Sequence, residues 1–239
     1  MRRAGPIDPA GRRPALEPNP PAHDTRSAWQ RWLEIGRSQK GQFDATGTLP
    51  PEPRQVLLFS GHMVDAPRRK QARFPRDKVD AAAARIAAVL DGLRAGPDDL
   101  ALTQGAAGGD LLFAEACVAR GVPLQLLLPL PEPEFVRQSL RPSADGASWQ
   151  ARFEAIKARC PAAPRVLHEV VTDPPGEGNV FEQCNLWLLA TALAYGVGRL
   201  RFISLWDGEG GDGPGGTRHL VAEVRRMAGH LSWIDVRTL

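Results

Sequence analysis

An α/β sandwich on a mostly parallel sheet of five to six strands is the fold this sequence predicts, and three observations carry that prediction. From Gln55 onward, short apolar runs of strand length alternate with longer segments of helical length, the order that a parallel sheet covered on both faces requires. A glycine-rich turn, Thr103-Gln-Gly-Ala-Ala-Gly-Gly-Asp110, separates one such run from the helix after it. The 239 residues, 43% of them hydrophobic, suit one large core better than two small ones. The expected architecture is a Rossmann-like three-layer sandwich over residues 55–239, preceded by a Pro- and Arg-rich tail over residues 1–54.

The elements follow in order. Met1 to about His23 is proline-rich and nearly free of large apolar residues, a composition that predicts no regular structure. Ser27–Ile35 predicts a short helix whose Trp29, Trp32 and Leu33 dock on the main body, and Gly41–Arg54 reads as a loose connection. Gln55–Phe59 is the first strand and Asp77–Leu93 the first long helix. Leu100–Thr103 is the second strand, with a helix at about 110–120 that stops at Gly121. Leu124–Leu128 is the third strand, ended by Pro129, with helical pieces near Glu132–Leu140 and Trp149–Arg159. Arg165–Val171 reads as a fourth strand, Val180 to about Tyr195 as a helix, and Leu200–Leu205 as a fifth strand. A helix over 217–228 and a last strand, Leu231–Asp235, complete the pattern.

Composition excludes several classes. No apolar stretch approaches the roughly 20 residues of a membrane helix, and the N-terminal residues lack the apolar core of a secretory signal. Cys117, Cys160 and Cys184 are odd in number and widely spaced, which predicts reduced thiols, two of them core-facing, in a cytoplasmic protein. The net charge of +3 arises in residues 1–50, with eight Arg/Lys against five Asp/Glu. The remaining chain is balanced, so nucleic acid is not an expected partner of the folded part. No His/Cys/Asp set has metal-ligand spacing and no Gly-x-Ser-x-Gly elbow occurs, so neither a metal nor a serine nucleophile is expected, and no cofactor is expected either. Association into a homo-oligomer is left open.

In parallel sheets ligands sit beyond the carboxyl ends of the strands. That edge receives Ser60-Gly61-His62 from the first strand, the Gly105–Asp110 loop from the second, and Pro129, Glu132 and Glu134 from the third. The fifth strand delivers Trp206-Asp207-Gly208 and a second glycine loop ending in Pro214-Gly215-Gly216-Thr217, where Thr217 is placed to cap a helix. A glycine turn at a helix N-terminus leaves backbone N–H groups for a phosphate, with Gly105, Gly108 and Gly109 permitting close approach; the plainer reading is a tight turn without a ligand. His62 reads either as a ligand contact or as a surface loop residue. Asp110 either accepts ribose hydroxyls or caps its helix, since a phosphate would repel it. Glu115 has apolar helical neighbours, so it is poorly placed or specifically paired. It lies about 140° round the helix from Asp110, so the two form no common face. Asn185 is a further polar group on a mostly apolar helix.

Phe59-Ser-Gly-His62 with Arg73-Phe-Pro75, then Gly105-Ala-Ala-Gly-Gly-Asp110 with Glu115, and the third strand running into Pro129-Leu-Pro-Glu-Pro-Glu-Phe135, resemble the SLOG superfamily. These Rossmann-like domains are related to the lonely-guy phosphoribohydrolases, DNA-processing protein A and the YpsA-type proteins. The nearest likeness is to a bacterial branch found alone or fused to signalling modules. The resemblance implies a nucleotide or nucleotide-derived ligand, contacted here by Ser60, Gly61, Gly105, Gly108, Gly109 and Asp110. The phosphoribohydrolases carry Pro-Gly-Gly-x-Gly-Thr-x-x-Glu with a catalytic Glu. This chain has Leu220 where that Glu would fall, and its nearest carboxylate, Glu223, lies six residues after Thr217. The expectation is therefore a nucleotide-binding or ligand-sensing domain. The alternative is a hydrolase of N-glycosidic bonds in which Glu115, Asp207 or Glu223 stabilises an oxocarbenium-like centre or activates water.

Overall fold

The computed structural model describes residues 25–176, 178–209, 220–221, 224–225 and 230–239. Helix α1 spans Thr25–Thr46 and strand β1 Val56–Gly61. A 3-10 turn, Arg76–Lys78, leads into α2 (Val79–Gly92), followed by β2 (Leu100–Thr103) and α3 (Gly109–Ala119). Then come β3 (Leu124–Leu128), α4 (Glu132–Ser139), α5 (Gly146–Lys157), β4 (Arg165–Val166) and the single turn α6 (Leu167–Val170). Helix α7 (Val180–Leu193), β5 (Leu200–Trp206) and β6 (His230–Asp235) complete the described elements. The strands form one six-stranded sheet in the order β4-β3-β2-β1-β5-β6, and every pairing is parallel.

Alternation along the strands sorts side chains into two layers. Leu57, Phe59, Ala101, Leu126, Ile203 and Leu205 pack with α2, α3 and α5, where the Phe59 and Phe113 rings stack at 4.9 Å. Val56, Leu58, Leu100, Leu102 and Phe202 pack on the other face with α1 and α7. The result is the expected Rossmann-like three-layer sandwich.

Two elements differ from the sequence expectation. Helix α1 is 22 residues long, not a short piece ending at Ile35. Trp29, Trp32, Gly36, Gln39 and Phe43 recur every three or four residues, so one stripe continues to the end of the helix. Gly36 and Gln39 disguise that stripe, yet both are buried. A Cβ on Gly36 would come within 2.2 Å of the Ala190 carbonyl oxygen, which marks where α1 crosses α7. The Trp32 indole, 1% exposed, donates to the Pro175 carbonyl at 3.0 Å. The second difference is β4, which pairs only through Arg165 and Val166. Its neighbour β3 ends at Leu128 and is followed by Pro129, so Leu167 onward has no ladder to join and turns into α6. The expected helix over 217–228 falls largely outside the described residues, and residues 1–23 lie wholly outside them.

Candidate functional site

The sheet reverses its winding beside β1, since β2, β3 and β4 extend from one side of it and β5 and β6 from the other. The crevice of such a sheet opens where neighbouring connections diverge, here above the carboxyl ends of β1 and β5. His62 enters it directly after β1, and its N–H donates to the Leu205 carbonyl at 2.9 Å. Asp207 enters directly after β5, and Arg73 reaches in from the loop after β1.

These three side chains form one network, in which His62 and Asp207 are buried and Arg73 is partly exposed. Arg73 Nη2 lies 3.1 Å from His62 Nδ1. A guanidinium can only donate, so Nδ1 is the acceptor and the ring proton sits on Nε2. That proton faces Asp207 Oδ1 at 3.2 Å, while Arg73 Nε donates to Asp207 Oδ2 at 3.3 Å. The Asp207 N–H also approaches Nε2 at 3.2 Å; a full bond there would put the ring proton on Nδ1, facing a cation, so the carboxylate is the better partner. Burial, then the Arg73 charge, hold His62 below its ordinary pKa against the pull of Asp207, so the ring is neutral. Burial works to raise the carboxyl of Asp207. The Glu209 N–H, at 2.9 Å from Oδ1, outweighs it together with His62 and Arg73, and the group stays below the usual carboxylate range. The site thus holds a fixed cation and a fixed anion, with a neutral imidazole between them.

Asp65 positions this arrangement. Its Oδ2 accepts from the N–H groups of Arg73 (2.9 Å) and Phe74 (3.0 Å), and Arg69 Nε lies 3.3 Å from Oδ1. The Asp65 N–H donates to the Phe74 carbonyl, which closes the loop, and the Phe74 ring is fully buried. Sequence reasoning missed Asp65, and Arg73 entered it only as part of a resemblance. The findable signal was Asp65 followed eight residues later by Arg-Phe, an acceptor able to gather both backbone donors of a loop before a core aromatic.

The first glycine loop borders the same crevice, but most of its N–H groups are spent within the protein. Those of Gly105 and Ala106 donate to Asp110 Oδ2, each at 3.2 Å. The Ala107 N–H donates to the Ser139 carbonyl and that of Gly109 to the His62 carbonyl. An antiparallel bridge joins Met63 to Gly108. Asp110 does not cap its helix, since α3 has no side-chain cap hydrogen bond; its carboxylate instead gathers the loop N–H groups that precede the helix. Burial pushes its carboxyl up to about 7, against the lowering effect of Ala106, Gly105, Thr103 and Gly61. Gly61 and Gly109 have a packing reason, since a Cβ on either would press on the Phe59 ring at 2.8 and 3.0 Å. Ser60, at the end of β1, lies opposite Ser204 of β5.

Other candidates sit elsewhere. Glu115 pairs with Arg152 of α5 through both carboxylate oxygens, with Arg152 Nε at 2.6 Å, beside a cavity of about 260 Å³ between α3 and α5. Glu132 is held by Lys157 at 2.5 Å and Glu134 by Arg137, both on α4 and its flank. Asn185 accepts from the Gln104 amide at 2.8 Å, which places that pair over the end of β2. Gly215, Gly216, Thr217 and Glu223 lie outside the described residues. Cys117 and Cys184 are buried free thiols, and Cys160 is half-buried, with burial raising all three. Among the described residues no group of His, Cys, Asp and Glu could hold a metal ion, and no helix is long and apolar enough to cross a membrane. Comparison with protein-family models and with curated protein sequences gives no match.

Proposed function

We propose that this chain is a SLOG-type domain that binds or senses a nucleotide or nucleotide-derived ligand over the carboxyl ends of β1 and β5, in a cytoplasmic setting where its thiols stay reduced. The observation that carries the reading is the His62–Arg73–Asp207 network, a preorganised cation and anion at the switch point of a parallel sheet. In this reading Asp207 accepts ribose hydroxyls and Arg73 attracts the phosphate. The glycine loop shapes the wall beside them and positions His62 through the Gly109 N–H. Calorimetry and thermal shift against a nucleotide panel test it. Binding that falls at least about tenfold in Asp207→Asn, as expected for a lost charged hydrogen bond, and is unchanged in Glu115→Gln, supports the site. Equal binding by the Asp207 variant removes it.

One observation favours the hydrolase reading as a second. Asp207 is buried yet held ionised, the state in which a carboxylate stabilises an oxocarbenium-like centre. Glu115 is less suited to that role, since Arg152 neutralises it away from the crevice. Release of free base from a bound nucleotide, lost in Asp207→Asn, would establish this reading over simple binding.

A further inference from the structure

Among the described residues, Trp233 of β6 and Val197 are the large apolar side chains that remain substantially exposed, at 43% and 48%. Val197 lies in a 3-10 turn at Val197–Arg199, just before the start of β5, whereas Trp233 stands on β6 opposite Ser204 of β5, the strand that Asp207 follows. Its Nε1 donates to the Trp206 carbonyl at 2.9 Å, and its ring meets that of Trp206 at 6.1 Å with a tilt of 48°. The indole is therefore fixed in place and its polar atom satisfied, so what it shows to solvent is aromatic surface. A Cβ on Gly208, the residue after Asp207, would lie 3.4 Å from Trp233 Cζ2. The ring thus packs against the chain immediately after Asp207, where Arg237 Nη2 is equally close to that Cβ at 3.4 Å. A rigid, exposed indole against the segment that follows Asp207 has the form of a stacking wall for a planar ring.

We infer that Trp233 stacks on the base of the bound ligand, which makes the ligand a base-bearing nucleotide instead of a sugar phosphate alone. The inference rests on the nucleotide reading of the Asp207 site. It gives Trp233 a positional role separable from that of Asp207, because it acts on the aromatic ring and not on the sugar.

The test is calorimetry on the full chain with AMP, GMP, CMP and UMP, and with ribose 5-phosphate as the base-free probe. Trp233→Leu is expected to weaken the mononucleotides it binds by about tenfold or more, the usual effect of losing one base stack. Ribose 5-phosphate affinity should stay unchanged. Trp233→Phe retains an aromatic face and should stay within about threefold of wild type for the mononucleotides. Wild-type affinity in Trp233→Leu, alongside lost affinity in Asp207→Asn, overturns the stacking role and leaves the site reading standing. Equal losses for mononucleotides and ribose 5-phosphate in both Trp233 variants overturn it as well, since they mark a purely structural residue. A changed oligomeric state in Trp233→Leu with unchanged binding would make the indole a subunit contact and overturn it too. If wild type binds no mononucleotide, the inference and the site reading both fall.

Discussion

At Gly108 the backbone φ is 104°, and a Cβ there would lie 2.7 Å from the Val64 nitrogen and 2.9 Å from the His62 carbonyl oxygen. Both neighbours are backbone and cannot swing aside. Gly108→Val should therefore destabilise the protein by roughly 3 kcal/mol or more, read as a lower midpoint in urea unfolding. This variant reports on packing before it reports on any ligand. Asp110 gives a cleaner test of its own role. Its folded pKa of about 7 exceeds the ordinary Asp value, so the folded state binds the proton more tightly than the unfolded chain. That contribution is fully present below the unfolded pKa and is lost as pH rises through about 7. Wild type should thus gain melting temperature relative to Asp110→Asn as pH falls from 8 to 5.5, and parallel profiles would contradict the shift. His62 works in the opposite sense, because its lowered pKa removes stability as pH falls below its unfolded value; it is common to both proteins and cancels in the comparison. The glycines were legible in the sequence as a special turn. Their reasons were not, because a glycine demanded by Val64 and Phe59 leaves the same letters as one demanded by a phosphate.

Among the elements, α1 and β4 show what periodicity can and cannot reveal. The Trp29–Phe43 stripe is visible once a glycine is allowed to count as a contact residue. A Cβ at Gly36 would overlap the Ala190 carbonyl of α7, so Gly36→Leu should separate α1 from α7 at a cost of about 3 kcal/mol or more, measurable by chemical denaturation. A melting curve like that of wild type would mean that α1 docks without close approach. The true extent of β4 was hidden for a different reason. Arg165–Val171 reads as a strand from its own residues, but a ladder needs a partner, and β3 stops at Leu128. Of the candidate site, the strand ends Ser60–His62 and Asp207 were readable from topology alone. Arg73 depends on Asp65, a carboxylate whose work is to gather backbone donors, and periodicity carries no trace of that.

The molecule as a whole is two cores on one sheet, joined through β1, which contributes Leu57 and Phe59 to one side and Val56 and Leu58 to the other. Neither helical layer can leave without exposing the strand they share. Urea unfolding followed by tryptophan fluorescence, which samples Trp32 and Trp187 in one layer and Trp149 in the other, should coincide with unfolding followed by circular dichroism. Separate transitions would mean that α1 and α7 unfold independently.

The bridge between Met63 and Gly108 has a consequence in time as well as in space. Val64 N–H donates to Ala107, Gly109 N–H to His62, Ala107 N–H to Ser139 and Ala144 N–H to Asp65, so four backbone protons are tied into a single knot of β1 loop, glycine turn and the segment from α4 to α5. No one of these strands of the knot can loosen while the others hold. Their exchange with deuterium should accordingly share one opening rate, slower than that of the exposed ends of α4, and a ligand lodged above β1 would slow all four together.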